Sequence, residues 1–181
     1  MLQCQVVPAQ MTAWRARTGD LDCPSPSPYT RRMPCKVIIR SASEEELGAL
    51  GQLKLRSSLG WGDLREELEA LPEACEVTAE NLPFVFLADH QGEAVGFATV
   101  LPSIGRDAEL EDLFVDPDFW RRGVGDQLLR EAERRALGLG FRGLHVVANR
   151  RAVPFYESKG FKVMGEVETL FEPAPEMRKD L

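Results

Sequence analysis

The sequence has few of the residues that hold metal ions or structural disulfides. Among its 181 residues are two histidines, His90 and His145, and four cysteines that form no C-x-x-C pair. Neither histidine stands at a metal-ligand spacing from a cysteine. We therefore expect reduced thiols and no bound metal.

Long hydrophobic runs and an excess of basic charge are also missing. No stretch approaches the roughly 18 to 20 uninterrupted apolar residues of a membrane span, and the N-terminus lacks a signal-peptide pattern. Lys and Arg number 22 against 29 for Asp and Glu, which gives a net charge of -7. This balance argues against nucleic-acid binding through phosphate contacts and weakly favours a cationic partner. A cytoplasmic protein with no membrane partner is expected.

Residues 1–35 differ in composition from the rest of the chain and have no regular hydrophobic period. They contain three of the four cysteines and a proline at every second position from Pro24 to Pro28. Such spacing removes backbone donors and favours an extended chain, so a disordered proline-rich tail is predicted. A translation start at Met33, directly before the first strand signal, fits the sequence equally well. A single folded domain is expected over 36–181.

Hydrophobic periodicity from residue 37 onward predicts strands that alternate with helices. Capping boxes that begin at Ser43 and Asp63 open the first two helices, and the turn at 89–92 joins two strands into a hairpin. The predicted strands are 37–41, 84–88, 94–100, 108–115, 144–148, 162–168 and 170–178, and the later helices are 124–137 and 151–159. This order predicts an α/β fold of three layers, in which a mixed sheet carries helices on both faces.

A basic, glycine-rich loop follows the 108–115 strand and directly precedes a helix. Gly123 and Gly125 allow the backbone to approach an oxyanion, towards which the first-turn N–H groups point, and Arg121 and Arg122 add cationic forks. Taken alone, these residues also fit a tight turn with solvated arginines. The helix lacks the Gly-Lys-Ser/Thr start of a P-loop, which disfavours nucleotide hydrolysis.

Val115-x-Pro117 followed by Arg-Arg-Gly-Val-Gly125 resembles the acetyl-CoA motif of the GNAT superfamily of N-acetyltransferases. A second block, Asn149-Arg-Arg-Ala-Val-Pro-Phe-Tyr-Glu-Ser-Lys-Gly-Phe161, is similar to the family pattern N-x-x-A-x-x-F-Y-E-x-x-G-F. The resemblance covers about 36–181. It implies a mostly antiparallel sheet with a splay between the strands at 108–115 and 144–148. It also implies a bulge, which would explain the break in period 2 between Leu110 and Leu113.

The resemblance further implies which residues bind acetyl-CoA as the co-substrate. The strand at 113–115 would pair with pantetheine, the loop at 121–126 would hold the pyrophosphate, and two later residues would form the far wall of the slot. The family usually has Gln or Arg where this chain has Trp120. The implied cofactor-binding residues are Leu113, Phe114, Val115, Arg121, Arg122, Gly123, Val124, Gly125, Asp126, Asn149 and Phe155.

Acyl transfer to an amine needs a neutral nucleophile, yet a lysine-like ammonium has a pKa about 3.4 units above pH 7. A general base, acting directly or through water, is therefore expected. Glu111 on the bulged strand is the first candidate, and His145 on the neighbouring strand is the second. Tyr156 matches the family's general acid for the leaving thiolate.

The implied function is transfer of an acetyl group from acetyl-CoA to a primary amine of a small molecule or peptide. A non-catalytic acyl-CoA-binding sensor or interaction module on the same fold is the alternative, suggested by Trp120. Acidic residues of the implied acceptor groove favour a cationic acceptor, although they also fit a solvated face. Family members are often dimers, so a homodimer stays open. The groove residues are Trp61, Glu66, Glu67, Glu168 and Glu172.

Overall fold

The computed structural model of the chain describes residues 36–60, 75–169 and 172–181. The predicted tail, the helix predicted from Asp63, and Trp61, Glu66 and Glu67 lie outside these ranges. No helix within them is long and apolar enough to cross a membrane. The elements are β1 Ile38–Ser41, α1 Leu47–Leu59, β2 Val85–His90, β3 Glu93–Leu101, β4 Asp107–Val115, α2 Val124–Gly138, β5 Gly143–Val147, α3 Val153–Glu157, β6 Lys162–Val167 and β7 Ala174–Asp180.

The strands of the described ranges form one sheet in the order β1-β2-β3-β4-β5-β7-β6. Neighbouring strands are antiparallel except β4 and β5, which are parallel. Helix α2 buries Leu128 and Leu129 in the larger apolar cluster, whereas α1 buries Leu50 and Leu53 in a second cluster. This mixed, mostly antiparallel sheet with helices on both faces confirms the predicted fold class.

Strands β4 and β5 pair over only three positions before they separate. The last pair is Glu109 with His145, although β4 continues to Val115 and β5 to Val147. The separation leaves an opening between the ends of the two strands. The predicted splay is therefore confirmed.

A bulge interrupts the β3–β4 ladder at Glu111. Thr99 lies opposite Asp112 and Val100 lies opposite Leu110, so Glu111 is the extra residue on β4. A bulge changes the direction of the side chains next to it and increases the local twist. The bulge that the family resemblance implies is confirmed.

Most predicted elements differ from the observed ones by one or two residues at an end, and two differences need a comment. The last strand begins at Ala174 rather than at 170, and before it the Thr169 hydroxyl accepts the Glu172 N–H and donates to the Glu172 carbonyl oxygen. The helix predicted over 151–159 consists of a 3-10 turn followed by the short helix α3, which has Pro154 in its first turn. Proline suits that position because a backbone N–H in the first turn of a helix has no acceptor within the helix, so the missing N–H of proline costs nothing there.

Gly96 on β3 is tightly enclosed, which gives a stability prediction. An added Cβ would lie 2.9 Å from the Phe114 carbonyl oxygen and 3.0 Å from Leu128 Cδ1. We expect Gly96→Ala to lower the free energy of unfolding by about 1 to 3 kcal/mol, the usual cost of overpacking, as measured by urea denaturation.

Gly48→Ala on α1 is the matched control, because an added Cβ there meets no atom within 4 Å. Alanine favours helix over glycine, so this variant should gain about 0.5 to 1 kcal/mol. Equal changes in the two variants would contradict the packing described around Gly96.

Candidate active site

The edge of β4 that faces the opening carries peptide groups at alternate residues. The Asp116 N–H donates to the Val95 carbonyl at 2.9 Å, so the even-numbered residues at this end of β4 direct their backbone N–H and C=O groups towards β3. Strand alternation then turns the peptide groups of Leu113 and Val115 towards the opposite edge. An extended ligand in the opening would meet these groups.

Side chains of this strand segment divide between the two faces of the sheet. Leu113 lies in the larger apolar cluster, whereas Phe114 stacks on Phe97 in the α1-side cluster, with ring centroids 5.7 Å apart. The two predicted cofactor residues therefore present their side chains to different faces. At the opening, this segment presents the backbone peptide groups of Leu113 and Val115.

Trp120 contacts both the open edge of β4 and the end of helix α1. Its indole N–H donates to the Val115 carbonyl oxygen at 2.7 Å. Its ring also lies close to the end of α1, since a Cβ added to Gly60 would be 3.1 Å from Trp120. The residue that departs from the family pattern is thus in contact with β4.

The loop before α2 has the geometry of an anion cradle. Arg121 and Gly123, with φ of 62° and 79°, hold left-handed backbone on either side of Arg122. Such a loop can turn successive N–H groups towards one side. Gly123 accepts the first helical hydrogen bond, from the Gln127 N–H, so the N–H groups of 124–126 have no acceptor inside the helix. A Cβ on Gly123 would meet no atom within 4 Å, so the space beside the loop is open.

The two arginines of the loop are held differently. Arg121 is exposed, whereas the half-buried Arg122 guanidinium lies 5.2 Å from the Phe119 ring centroid. Arg122 Nε is buried and has no hydrogen-bond partner among the described residues. A buried unpaired donor is rare and costly, and an anionic ligand would satisfy it. Arg122 therefore fits an anion site.

Asp126, an acid in the first turn of α2, is compensated by two cations. Its carboxylate forms ion pairs with Lys159 at 2.5 Å and with Arg130 at 2.6 Å. The Lys159 ammonium also lies 5.9 Å from the Phe155 ring centroid. These contacts offset the negative charge that Asp126 brings to the cradle.

The end of β4, the first turn of α2 and helix α3 meet at one point. A Cβ added to Gly125 would lie 3.7 Å from both Phe155 Cζ and Val115 Cγ2. Asn149 is buried, and its Oδ1 accepts the Arg151 N–H at 2.9 Å, which caps the turn before α3. The structure brings Val115, Gly125 and Phe155 together, and Asn149 supports the element that carries Phe155.

Glu111, the extra residue of the bulge, is half-buried, and its carboxylate forms no hydrogen bond or ion pair with another described residue. Burial raises the pKa of Glu111 to about 7, the Asp112 and Glu109 carboxylates add to the increase, and Lys54 opposes it. A carboxylate with a pKa near neutral pH is suited to accept and release a proton.

His145 lies at the point where β4 and β5 separate. Its Nε2 is 3.0 Å from Glu176 Oε1 on β7, and its residue partner on β4 is Glu109. The second candidate base is therefore engaged by a carboxylate. Within the described ranges, no group of three or more His, Cys, Asp or Glu side chains could hold a metal ion.

Tyr156 of α3 is fully buried. Its ring contacts Phe155 and Phe161 edge-on, with centroids 5.2 Å and 5.3 Å away. The predicted general acid thus lies directly behind Phe155, the residue that contacts the cradle.

Lys54 is a site residue that the sequence analysis did not identify. Its ammonium pairs with Asp112 at 2.8 Å, and the two side chains are only 7% and 6% exposed. A signal was present, because Leu50, Leu53 and Lys54 stand on one face of α1. A lysine on an apolar helix face is rarely buried without a partner.

A sequence model described as the acetyltransferase (GNAT) family matches residues 52–161. The amino-acid acetyltransferase of Azotobacter vinelandii is 32% identical over 70% of this chain and 28% of its own length. That of Pseudomonas putida (strain GB-1) is 31% identical over 71% of this chain and 28% of its own length. The chain thus spans less than a third of the length of these curated relatives.

Solved structures with the same fold include two that contain coenzyme A. The PaiA N-acetyltransferase from Thermoplasma acidophilum, in complex with coenzyme A, has a TM-score of 0.68 at 23% identity over 81% of this chain and 99% of that chain. N-acetylglutamate synthase from Neisseria gonorrhoeae, with coenzyme A and N-acetyl-glutamate, has a TM-score of 0.64 at 20% identity over 81% of this chain and 35% of that chain. With the family model matched over more than half of its length, the chain belongs to the GNAT acetyltransferase family.

Proposed function

We propose that the protein transfers the acetyl group of acetyl-CoA to a primary amine of a small molecule or peptide, directly and with both substrates bound. One observation carries the proposal. Glu111, a half-buried carboxylate whose pKa is raised to about 7, lies on the strand that leads into an anion cradle. Membership of an acetyltransferase family supports the reaction type.

The described residues fit acetyl-CoA as a substrate. Its diphosphate is an anion suited to the N–H groups of the loop and to the buried Arg122 Nε, which has no partner among the described residues. Its amide-bearing arm is suited to the peptide groups at the open edge of β4. Val115, Gly125 and Phe155 would line the slot where these parts meet. Two relatives of the same fold were crystallised with coenzyme A, which supports acetyl-CoA as the substrate.

In the proposed reaction the amine nitrogen attacks the thioester carbonyl carbon, and the C–S bond breaks as the C–N bond forms. Counted from the ammonium, two protons must leave the nitrogen, one before the attack and one as the amide forms; one proton reaches the sulfur and the other passes to solvent. Removing a proton from an ammonium of pKa 10.4 costs about 4.6 kcal/mol at pH 7. Glu111 would accept this proton directly or through water, and its near-neutral pKa leaves a large unprotonated fraction at pH 7 to 8. His145 is the second choice, because Glu176 already engages its ring.

Tyr156 would donate the proton that the sulfur needs. Tyr156 is fully buried and packs edge-on against Phe155, which would line the slot. In this role its hydroxyl would have to reach the thiolate side of the slot, opposite the amine. This division assigns one proton transfer to each side of the thioester.

An amine acceptor is supported by the charges near the opening. Glu109 and Glu111 are half-buried carboxylates beside the point where β4 leaves β5, and the whole chain carries a net charge of -7. Two acids favour the approach of a cationic amine. The curated relatives are amino-acid acetyltransferases, so free amino acids belong in any acceptor panel.

The alternative of a non-catalytic acyl-CoA-binding module has one observation in its favour. Trp120 replaces the usual Gln or Arg and occupies the Val115 carbonyl at the edge where pantetheine would bind. Such a module would bind acetyl-CoA without turning over any amine.

Cofactor binding is tested by calorimetry with acetyl-CoA and the Gly123→Glu variant. We expect micromolar binding to the unmodified chain and at least about 30-fold weaker binding to the variant, because a carboxylate would stand in the anion cradle.

Gly140→Glu is the matched control, since Gly140 has a φ of 90°, open space for a Cβ, and a position past the far end of α2. Equal weakening in both variants, or no binding to the unmodified chain at about 100 μM, would contradict the assigned cradle.

Catalysis is tested by following thiol release with a panel of alkyl amines, peptide N-termini and free amino acids. We expect saturable turnover of at least one amine, a kcat about 100-fold or more lower in Glu111→Gln, and a clear loss in Tyr156→Phe.

Glu93→Gln, at an exposed glutamate where β3 begins, should keep the original rate. Acetyl-CoA binding with no turnover of any amine would support the non-catalytic module instead. An unchanged rate in Glu111→Gln would remove Glu111 as the base.

A further inference from the structure

We propose that the buried Lys54–Asp112 ion pair is a positioning element that orients Glu111 on the bulge. This inference rests on the proposed function, in which Glu111 is the general base. Neither Lys54 nor Asp112 has to touch a substrate in this role.

The pair joins helix α1 to the bulged strand through the interior of the protein. Lys54 Nζ lies 2.8 Å from Asp112 Oδ1 and 5.3 Å from the Phe114 ring centroid. Both charged side chains are more than nine-tenths buried. A buried charge that loses its partner is strongly destabilising, so each residue fixes the position of the other.

The register of the bulge explains how the pair reaches Glu111. Asp112 directly follows Glu111 and lies opposite Thr99. The Thr99 hydroxyl is fully buried and has no hydrogen-bond partner in the part of the chain that the structure describes, although a carboxylate stands on the residue across from it. Lys54 therefore holds the Asp112 carboxylate in an orientation in which it forms no hydrogen bond with the Thr99 hydroxyl. Without Lys54, we expect the Asp112 carboxylate to turn towards Thr99 and the backbone at Glu111 to shift with it.

Within the described ranges, the charged groups near Glu111 lie on three elements. Asp112 and Glu109 lie on the same strand, Lys54 lies on α1, and His145 lies on β5 opposite Glu109. The Asp112 carboxylate raises the pKa of Glu111 and the Lys54 ammonium lowers it. Because the two effects oppose each other, removing one member of the pair should move the pKa of Glu111 in the direction set by the member that remains.

The direct test is a 13C NMR titration of the glutamate carboxyl groups in the full-length chain, with Glu111→Gln identifying the Glu111 signal. We expect a midpoint of about 7 in the unmodified protein. Asp112→Asn should lower the midpoint by at least about 0.5 units, and Lys54→Met should raise it by a similar amount.

Arg56→Met is the matched control on the same helix. Arg56 pairs with Asp116 at 3.0 Å, but its side chain is 54% exposed. Solvent screens such a pair, so the midpoint of Glu111 should change by less than about 0.2 units. Shifts in the same direction for Lys54→Met and Asp112→Asn, or shifts no larger than that of Arg56→Met, would overturn the proposal.

The double variant Lys54→Met/Asp112→Asn keeps the proposal testable if a single variant does not fold, because it removes both charges of the pair together. We expect its kcat to be about tenfold lower with an unchanged KM for acetyl-CoA, since the base would be displaced while the cradle is intact. An unchanged kcat together with an unchanged Glu111 titration would overturn the positioning role.

The titration needs no turnover, so the two proposals can fail separately. If the unmodified protein acetylates no amine, the proposed function is rejected while the titration still tests the coupling of Lys54 and Asp112 to Glu111. If turnover is observed and the titration does not respond to the variants, only the positioning role is rejected.

Discussion

The candidate site depends on the early separation of the two parallel strands. Strand β5 is paired with β7 along its whole length, from Gly143 to Val147, and β4 is paired with β3 up to Val115. Each strand stays paired with its antiparallel neighbour, and the pairing between β4 and β5 ends at Glu109 and His145. Peptide groups of β4 that would be hydrogen-bonded to the next strand in a continuous sheet therefore face an opening. The N-terminus of α2 lies beside the same opening because its loop begins where β4 ends.

The chemistry of the site follows from which carboxylates are paired. Arg40 donates two hydrogen bonds to Glu46, and these bonds are the main reason that the pKa of Glu46 falls to about 2. Glu111 has no such partner among the described residues and lies partly buried beside other acids, so its pKa rises to about 7. Asp112, the next residue, pairs with Lys54. Neighbouring acids can therefore take different tasks, one structural and one chemical.

The sequence predicted the parts of the site that depend on local spacing. The glycines of the Gly123 loop indicated the cradle, and the family resemblance implied the bulge, which the break in period between Leu110 and Leu113 fits. Contacts between distant residues were beyond it: Lys54 and Asp112 are 58 residues apart, and only the packing of α1 on β4 brings them together. The sequence analysis also missed that Asn149 caps the turn before α3. Its side-chain oxygen accepts the Arg151 N–H, and the family pattern does not indicate this local contact. The helix predicted from Asp63 lies outside the described residues, and the roles of Glu111, His145 and Tyr156 stay predictions.

The central claim is that the unprotonated Glu111 carboxylate accepts the amine proton. It is tested most directly by the pH dependence of kcat with both substrates saturating, in the unmodified protein and in Glu111→Gln. A base must be unprotonated to act, so kcat should rise with pH through about 7, and this limb should vanish in the variant. A limb with the same midpoint in Glu111→Gln would contradict the assignment of Glu111 as the base.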